Sequence, residues 1–116
     1  MNDLFTDTTT WALEHALDAV AERQRVASHN IANSATPGFR SKRVDFEKEL
    51  AGALRNDSRH AAILVRAANT PVGLNNNDVS LEEESAILMR SELLYEALVA
   101  AENYKLGLLR TAIGGS

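Results

Sequence analysis

Apolar residues return in alternating steps of four and three at Leu13, Leu17, Val20, Ala27 and Ile31, with Gln24 interrupting the seam. That is the period of one helix face, and the run "TDTTT" ahead of it supplies good N-cap residue types, with Asp7 placed to favour a helix start. The spacing predicts a helix over residues 8–34. It ends for steric reasons. Pro37 excludes Thr36 from the helical region, and Gly38 can take the positive φ that a type II turn needs at its third position.

The last third of the chain, "SLEEESAILMRSELLYEALVAAENYKLGLLRTAIGGS", predicts a second long helix over residues 80–113. Ser80 and Glu83 form the S-x-x-E capping box. Glu82, Glu83 and Glu84 put negative charge at the positive end of the helix dipole, Lys105 and Arg110 sit towards the other end, and Gly114-Gly115 is a stop. Its apolar surface is too wide for one partner. Leu94, Leu98, Ala101 and Leu108 make one stripe, Leu93, Ala97, Ala100 and Tyr104 a second, and Leu88, Tyr95, Val99 and Leu106 continue around the cylinder. Such a helix expects neighbours on several sides.

Between them, residues 35–79 give weaker patterns. "DFEKELAGALR" fits a short helix from Asp45 with Phe46, Leu50 and Leu54 on one side, "AAILVRA" suits a short strand or, nearly as well, a helix, and "NTPVGLNNNDVS" is loop by composition. The expected fold class is mainly α: two long terminal helices packed as a coiled-coil-like pair, with a small irregular middle segment, in a single subunit covering residues 1–116.

Composition adjusts this picture in one respect. Of 116 residues 45% are hydrophobic but only 5% aromatic, so alanine and leucine dominate, which suits helix seams better than a thick core. A single seam leaves little margin over the entropy of ordering two helices, so the chain is expected to be marginal alone and ordered by assembly. The net charge of −4 is unevenly spread: residues 1–22 hold five acids and no base, residues 23–66 nine bases and four acids, and residues 67–116 three bases and seven acids. This suits self-association in which ends meet middles, and equally a solvated surface of uneven sign. The start "MNDLFTDTTT" has no positive charge and no apolar run, so no secretory leader is expected, and no stretch approaches the ~18–20 apolar residues of a membrane span.

Candidate chemistry is sparse. Cysteine is absent, and His15, His29 and His60 belong to no metal-binding spacing. Ser28-His29 are adjacent on a helix and point apart, and no G-x-S-x-G elbow, phosphate loop or dinucleotide fingerprint occurs. No catalytic, cofactor-binding or metal-binding residue is expected, nor an enzyme. "RSKR" at 40–43 is a weak phosphate-contacting patch between acidic helices, ranking well below protein assembly, so no nucleic-acid partner is expected.

What remains is "ASHNIANSATPGFRSKRVDFE". It resembles the motif A-x-N-[IL]-A-N-x-x-T-x-G-[FY] of bacterial flagellar axial proteins, matched here by Ala27, Asn30, Ile31, Ala32, Asn33, Thr36, Gly38 and Phe39. The "VDF" at 44–46, the short chain and "NDVSLEEE" opening the terminal helix look most like the basal-body rod protein family, in particular its proximal members. The resemblance covers roughly residues 8–50 and 75–112. It implies a structural subunit of the flagellar rod, exported through the flagellar type III apparatus without a cleaved signal peptide, and assembling in the periplasm with other rod subunits through its terminal helices. "FEKEL" looks like the F-x-x-x-Φ pattern associated with recognition by the export gate, through Phe46 and Leu50. The residues expected in subunit assembly are Asn30, Ile31, Ala32, Asn33, Thr36, Pro37, Gly38 and Phe39, with Leu94 and Leu98 from the second helix. Asn30 and Asn33 are expected to make either a subunit contact or a locked helix-to-turn junction, with Phe39 aimed into neighbouring packing. The alternative reading is a soluble helical adaptor or export-related binding protein, folded and monodisperse alone.

Overall fold

The structure, a computed structural model, describes residues 7–114. Residues 1–6, Gly115 and Ser116 lie outside the described residues, and with them most of "MNDLFTDTTT" and half of the expected Gly114-Gly115 stop. The elements are α1 (Asp7–Ala32), β1 (Lys42–Asp45), α2 (Glu47–Arg55), β2 (Leu64–Ala67) and α3 (Leu81–Gly114). The two long helices, about 39 and 51 Å at 1.5 Å per residue, pack antiparallel. Asn30 meets Glu84 at one end of the seam, and Lys105 donates to the Thr10 hydroxyl at the other.

The α1 seam keeps Val20 and Ala27 of the expected line and is otherwise shifted by one residue. Its buried positions are Ala12, Ala16, Ala19, Val20, Val26, Ala27 and Asn30, whereas Leu13, Leu17 and Ile31 are only half-buried. Small side chains let two helices approach closely, so alanine takes the central line and the larger aliphatics flank it. On α3 the facing positions recur every seven residues, at Glu84, Ser91, Leu98 and Lys105. Seven is the repeat of a coiled-coil seam, here occupied mostly by polar residues.

The chain leaves α1 through the expected turn. Gly38 has φ of 76°, and the Phe39 N–H donates to Thr36 O at 3.2 Å, closing the turn over Pro37-Gly38. β1 then runs back down α1, α2 continues to its start, and β2 returns antiparallel to β1, with Val44 opposite Val65 and Lys42 opposite Ala67. The Ala68 N–H bonds Ser41 O at 3.0 Å, which sets the phase of the ladder. In that phase the main-chain groups of Lys42 and Val44 point away from β2, towards α1. Phe46 joins Ala16, Ala19 and Val20 in a small core, with Leu50, Ile63 and Leu98 packed against it. Leu54, the third residue of the expected α2 face, is 47% exposed. The Ser80 hydroxyl caps α3 by accepting from the Glu83 N–H at 3.3 Å, while the Glu83 carboxylate is engaged by Arg43.

With extents of 64 × 27 × 14 Å, the molecule is barely more than one helix thick along its shortest axis. Overpacking the alanine line therefore has nowhere to relax. Ala19→Leu, at a fully buried position, is expected to lower the unfolding free energy by about 1–3 kcal/mol, measured by urea denaturation against the wild-type chain.

Candidate assembly site

The last turns of α1 act as a template for the strand that follows. Asn30, 1% exposed, donates from Nδ2 to Lys42 O at 2.9 Å, and its Oδ1 accepts from the Lys42 N–H at 3.2 Å. Its carboxamide thus replaces a neighbouring strand on β1's outward edge. Two turns earlier, Arg23 does the same for Val44, donating from Nε and Nη2 to Val44 O at 3.1 and 2.6 Å. Its guanidinium also lies 4.8 Å from the Phe46 ring centroid and makes a bidentate pair with Glu47 at 2.6 and 2.8 Å.

The third element enters through Glu84, which is fully buried on the first turn of α3. One carboxylate oxygen accepts from Asn30 Nδ2 at 3.0 Å, the other from Arg43 Nη1 at 2.6 Å, and Arg43 Nη2 reaches Glu83 at 2.5 Å. A buried carboxylate costs several kcal/mol unless its oxygens are paired; both of these are. Helix α1, strand β1 and helix α3 therefore share one polar junction.

Beside it, "NNND" at 75–78 grips the turn. Asn77 Nδ2 donates to Asn33 O at 2.9 Å and Thr36 O at 2.7 Å, while its Oδ1 accepts from the Val79 N–H at 2.8 Å. The Asp78 carboxylate accepts from the Ser41 N–H at 2.5 Å, and the Gly38 N–H donates to Asn75 O at 3.0 Å. Arg40 donates to Asn76 Oδ1 at 2.8 Å and to its main-chain oxygen. Asn33 works locally. Its Nδ2 donates to His29 O at 2.9 Å and its Oδ1 accepts from the Thr36 hydroxyl at 3.1 Å.

Two carboxyls in this region titrate low. The bidentate bond from Arg23 holds Glu47 at about 2, against the opposing effect of its partial burial. Burial alone would raise Asp78, but the Ser41 N–H bond and the Arg40 charge outweigh it and leave its pKa below the ordinary value. Among the described residues no group of three or more His, Cys, Asp or Glu side chains is placed to hold a metal ion.

The structure brings Asn30, Asn33, Thr36, Pro37 and Gly38 into one junction, within a single chain. Ala32, Thr36, Pro37 and Gly38 are exposed on its outer surface, Ile31 and Phe39 are half-buried, and the Phe39 ring meets His29 edge-on at 5.7 Å. Leu94 is 38% exposed farther along α3, and Leu98 packs on the core around Val20. Phe46 is 3% exposed, with Leu50 against the same core. Sequence reasoning passed over Arg23, Arg43, Asn77, Asp78 and Glu84. The nearest signal was "NDVSLEEE", whose polar residues read as loop and helix-start charge.

No protein-family model matches the chain. It is similar to the flagellar basal body rod protein FlgB of Bacillus subtilis, 31% identical over 117 residues that cover 89% of this chain and 91% of that protein. It is 33% identical over 108 residues to the protein of the same name from Cereibacter sphaeroides, covering 80% and 84% of the two chains. To that of Aeromonas hydrophila it is 27% identical over 118 residues, covering 88% and 89%.

Asn30→Ala strands the Lys42 main-chain groups and one Glu84 oxygen, and is expected to cost roughly 2–5 kcal/mol of stability. Asn30→Asp keeps the shape but cannot donate to Lys42 O or Glu84. It is expected to be at least as damaging at neutral pH and to recover partly on acidification, measured by urea denaturation at pH 7 and pH 4. Stability of the wild type should also fall in acid. Glu47 and Asp78 have folded values below their ordinary ones near 4, so their contribution is fully present above that range and is lost as pH falls through the folded values, about 2 for Glu47. The Glu47 share is modest because its side chain is 60% exposed, and Arg23→Ala should flatten it in melting curves taken from pH 6 to pH 2.

Proposed function

The chain belongs to the family of the flagellar basal body rod protein FlgB, and from that premise we propose that α1 and α3 pack against the terminal helices of neighbouring copies and other rod proteins to build the proximal rod. As a member of that family it is a structural subunit of the flagellar basal-body rod. The observation that carries the proposal is the surface of α3. Met89 and Leu93 are each 66% exposed, Tyr104 67% and Ile113 82%, with Tyr95, Val99 and Leu106 also open to solvent. A monomer rarely leaves such a length of apolar helix uncovered. Covering it by an open, head-to-tail contact generates a helical tube rather than a closed ring of two.

In this reading Asn30 and Asn33 act on assembly indirectly. Their polar groups hold the junction within the chain, and that junction presents Ile31, Ala32, Thr36, Pro37, Gly38 and Phe39 in a fixed shape to the next subunit. Leu94 and Leu98 then position α3, the first beside its exposed face and the second from the core. The subunit reaches the periplasmic rod through the flagellar type III apparatus, without a cleaved signal. Phe46 and Leu50 are held in the folded core, so an export gate that recognises them does so before the chain folds. Among the described residues no helix is long and apolar enough to cross a membrane. The role requires no catalysis, no cofactor and no nucleic acid.

The test separates assembly from folding. Leu93→Asp and Tyr104→Asp change exposed side chains, and are expected to leave the helical circular-dichroism signal and the urea midpoint within experimental error. The same strains should lose swimming on soft agar and carry no subunit in isolated basal bodies. Normal swimming by both strains would overturn the proposal and favour a monodisperse adaptor.

A further inference from the structure

A cleft of about 370 Å³ opens between α1, β1 and α3. Val26, Ala27, Val44, Ile87 and Leu94 give it an apolar floor. Its three carboxylates are each paired: Glu47 with Arg23, Glu84 with Arg43, and Asp45 with Arg66. Two further bases on the lining, Lys42 and Arg90, are exposed and have no ion-pair partner among the described residues. An apolar floor under an unneutralised basic rim suits a segment that carries large apolar side chains next to a carboxylate.

This chain contains such a segment in "DLFTD", residues 3–7. It cannot reach its own cleft. The start of α1 lies at the opposite end of the seam, where Thr8 bonds Asp57 and Thr10 accepts from Lys105. Leu94, at the near edge of the cleft, lies level with about residue 20 of α1, and so about 20 Å along it from Asp7 at 1.5 Å per residue. Leu4 is three residues from Asp7, a reach of about 11 Å at full extension.

We propose that the cleft receives Leu4 and Phe5 of a second copy of this chain, with Asp3 against the rim formed by Lys42 and Arg90. The donor end and the receiving cleft are different surfaces, so the contact is heterologous and repeats from copy to copy as an open row. It joins the acidic first twenty-two residues to the basic middle, and gives the uneven charge a use. The inference rests on the rod-subunit reading in one respect: copies must be neighbours in the assembled structure.

The absence of cysteine makes the test clean. Phe5→Cys and Leu94→Cys are combined in one chain, where they lie too far apart to join internally, and isolated basal bodies are oxidised. A ladder of linked chains on a non-reducing gel is expected, at least tenfold stronger than from either single variant. Arg90→Glu should reduce it at least fivefold, and Asp3→Lys should restore at least half of it in that background. A double variant that enters basal bodies without forming the ladder overturns the proposal, as does a link from Cys at 94 to a different protein. If the double variant does not enter, oxidation of the purified chain decides: a ladder sensitive to Arg90→Glu supports the contact, and its absence overturns it. Absence of the wild-type chain from basal bodies would instead overturn the rod-subunit reading.

Discussion

Asn30 sits where three backbone segments converge, and its carboxamide is a single group that both donates and accepts there. The Lys42 N–H needs an acceptor, Lys42 O needs a donor, and Glu84 needs a second donor besides Arg43. An aspartate at this position lacks the donors, and a leucine lacks everything. Because Glu84 is fully buried, leaving its oxygen unpaired carries the cost of a desolvated charge rather than of one lost hydrogen bond. The angle at which β1 leaves the end of α1, and the height at which α3 starts beside it, are consequences of satisfying that one side chain.

Helix periods, the Pro37-Gly38 turn and the Ser80 cap were legible because each is decided by residues within a few positions of one another. The phase of the α1 seam was legible only in part: Val20 and Ala27 lie on it, Leu13, Leu17 and Ile31 beside it. Hydropathy ranks Leu13 and Leu17 above Ala12 and Ala16, yet the small side chains hold the central line, since close packing of two helices depends on shape as well as on apolar area. The junction was hidden for a different reason. Arg23, Glu84 and Lys105 read as surface residues in any local window, because their burial is made tolerable by partners 21 to 95 positions away. "NNND" looked like slack for the same reason: Asn77 and Asp78 are nearly buried, and their partners lie on the far side of a chain reversal. In sequence Asn30 and Asn33 read together, as a subunit contact or a locked helix-to-turn junction, whereas in the structure the two amides serve different segments.

The molecule is folded at one end and along one edge, and unfinished elsewhere. Its core is a handful of residues around Val20 and Phe46, while α3 turns most of its large apolar side chains to solvent. The small sheet repeats the asymmetry. Side chains of α1 close the outward edge of β1, whereas the main-chain groups of Val65 and Ala67 face outward on β2, away from β1. A polar junction can be completed inside one chain because hydrogen bonds saturate. An apolar helix face has no such stopping point, and its demand for contact passes to the neighbours.

The seam between α1 and α3 is anchored by polar contacts at its two ends, Asn30 with Glu84 and Thr10 with Lys105, and is mostly small side chains between them, with Val20, Val26 and Leu98 the larger ones. Alanine offers little resistance to sliding, so the polar ends, with Leu98 against the core between them, register the helices. Twenty residues of α1, about 30 Å at the helical rise, separate the two anchors, and a slip of one heptad would break both at once. The pair of helices is thereby a gauge block: chemistry at two points sets how far one helix extends past the other.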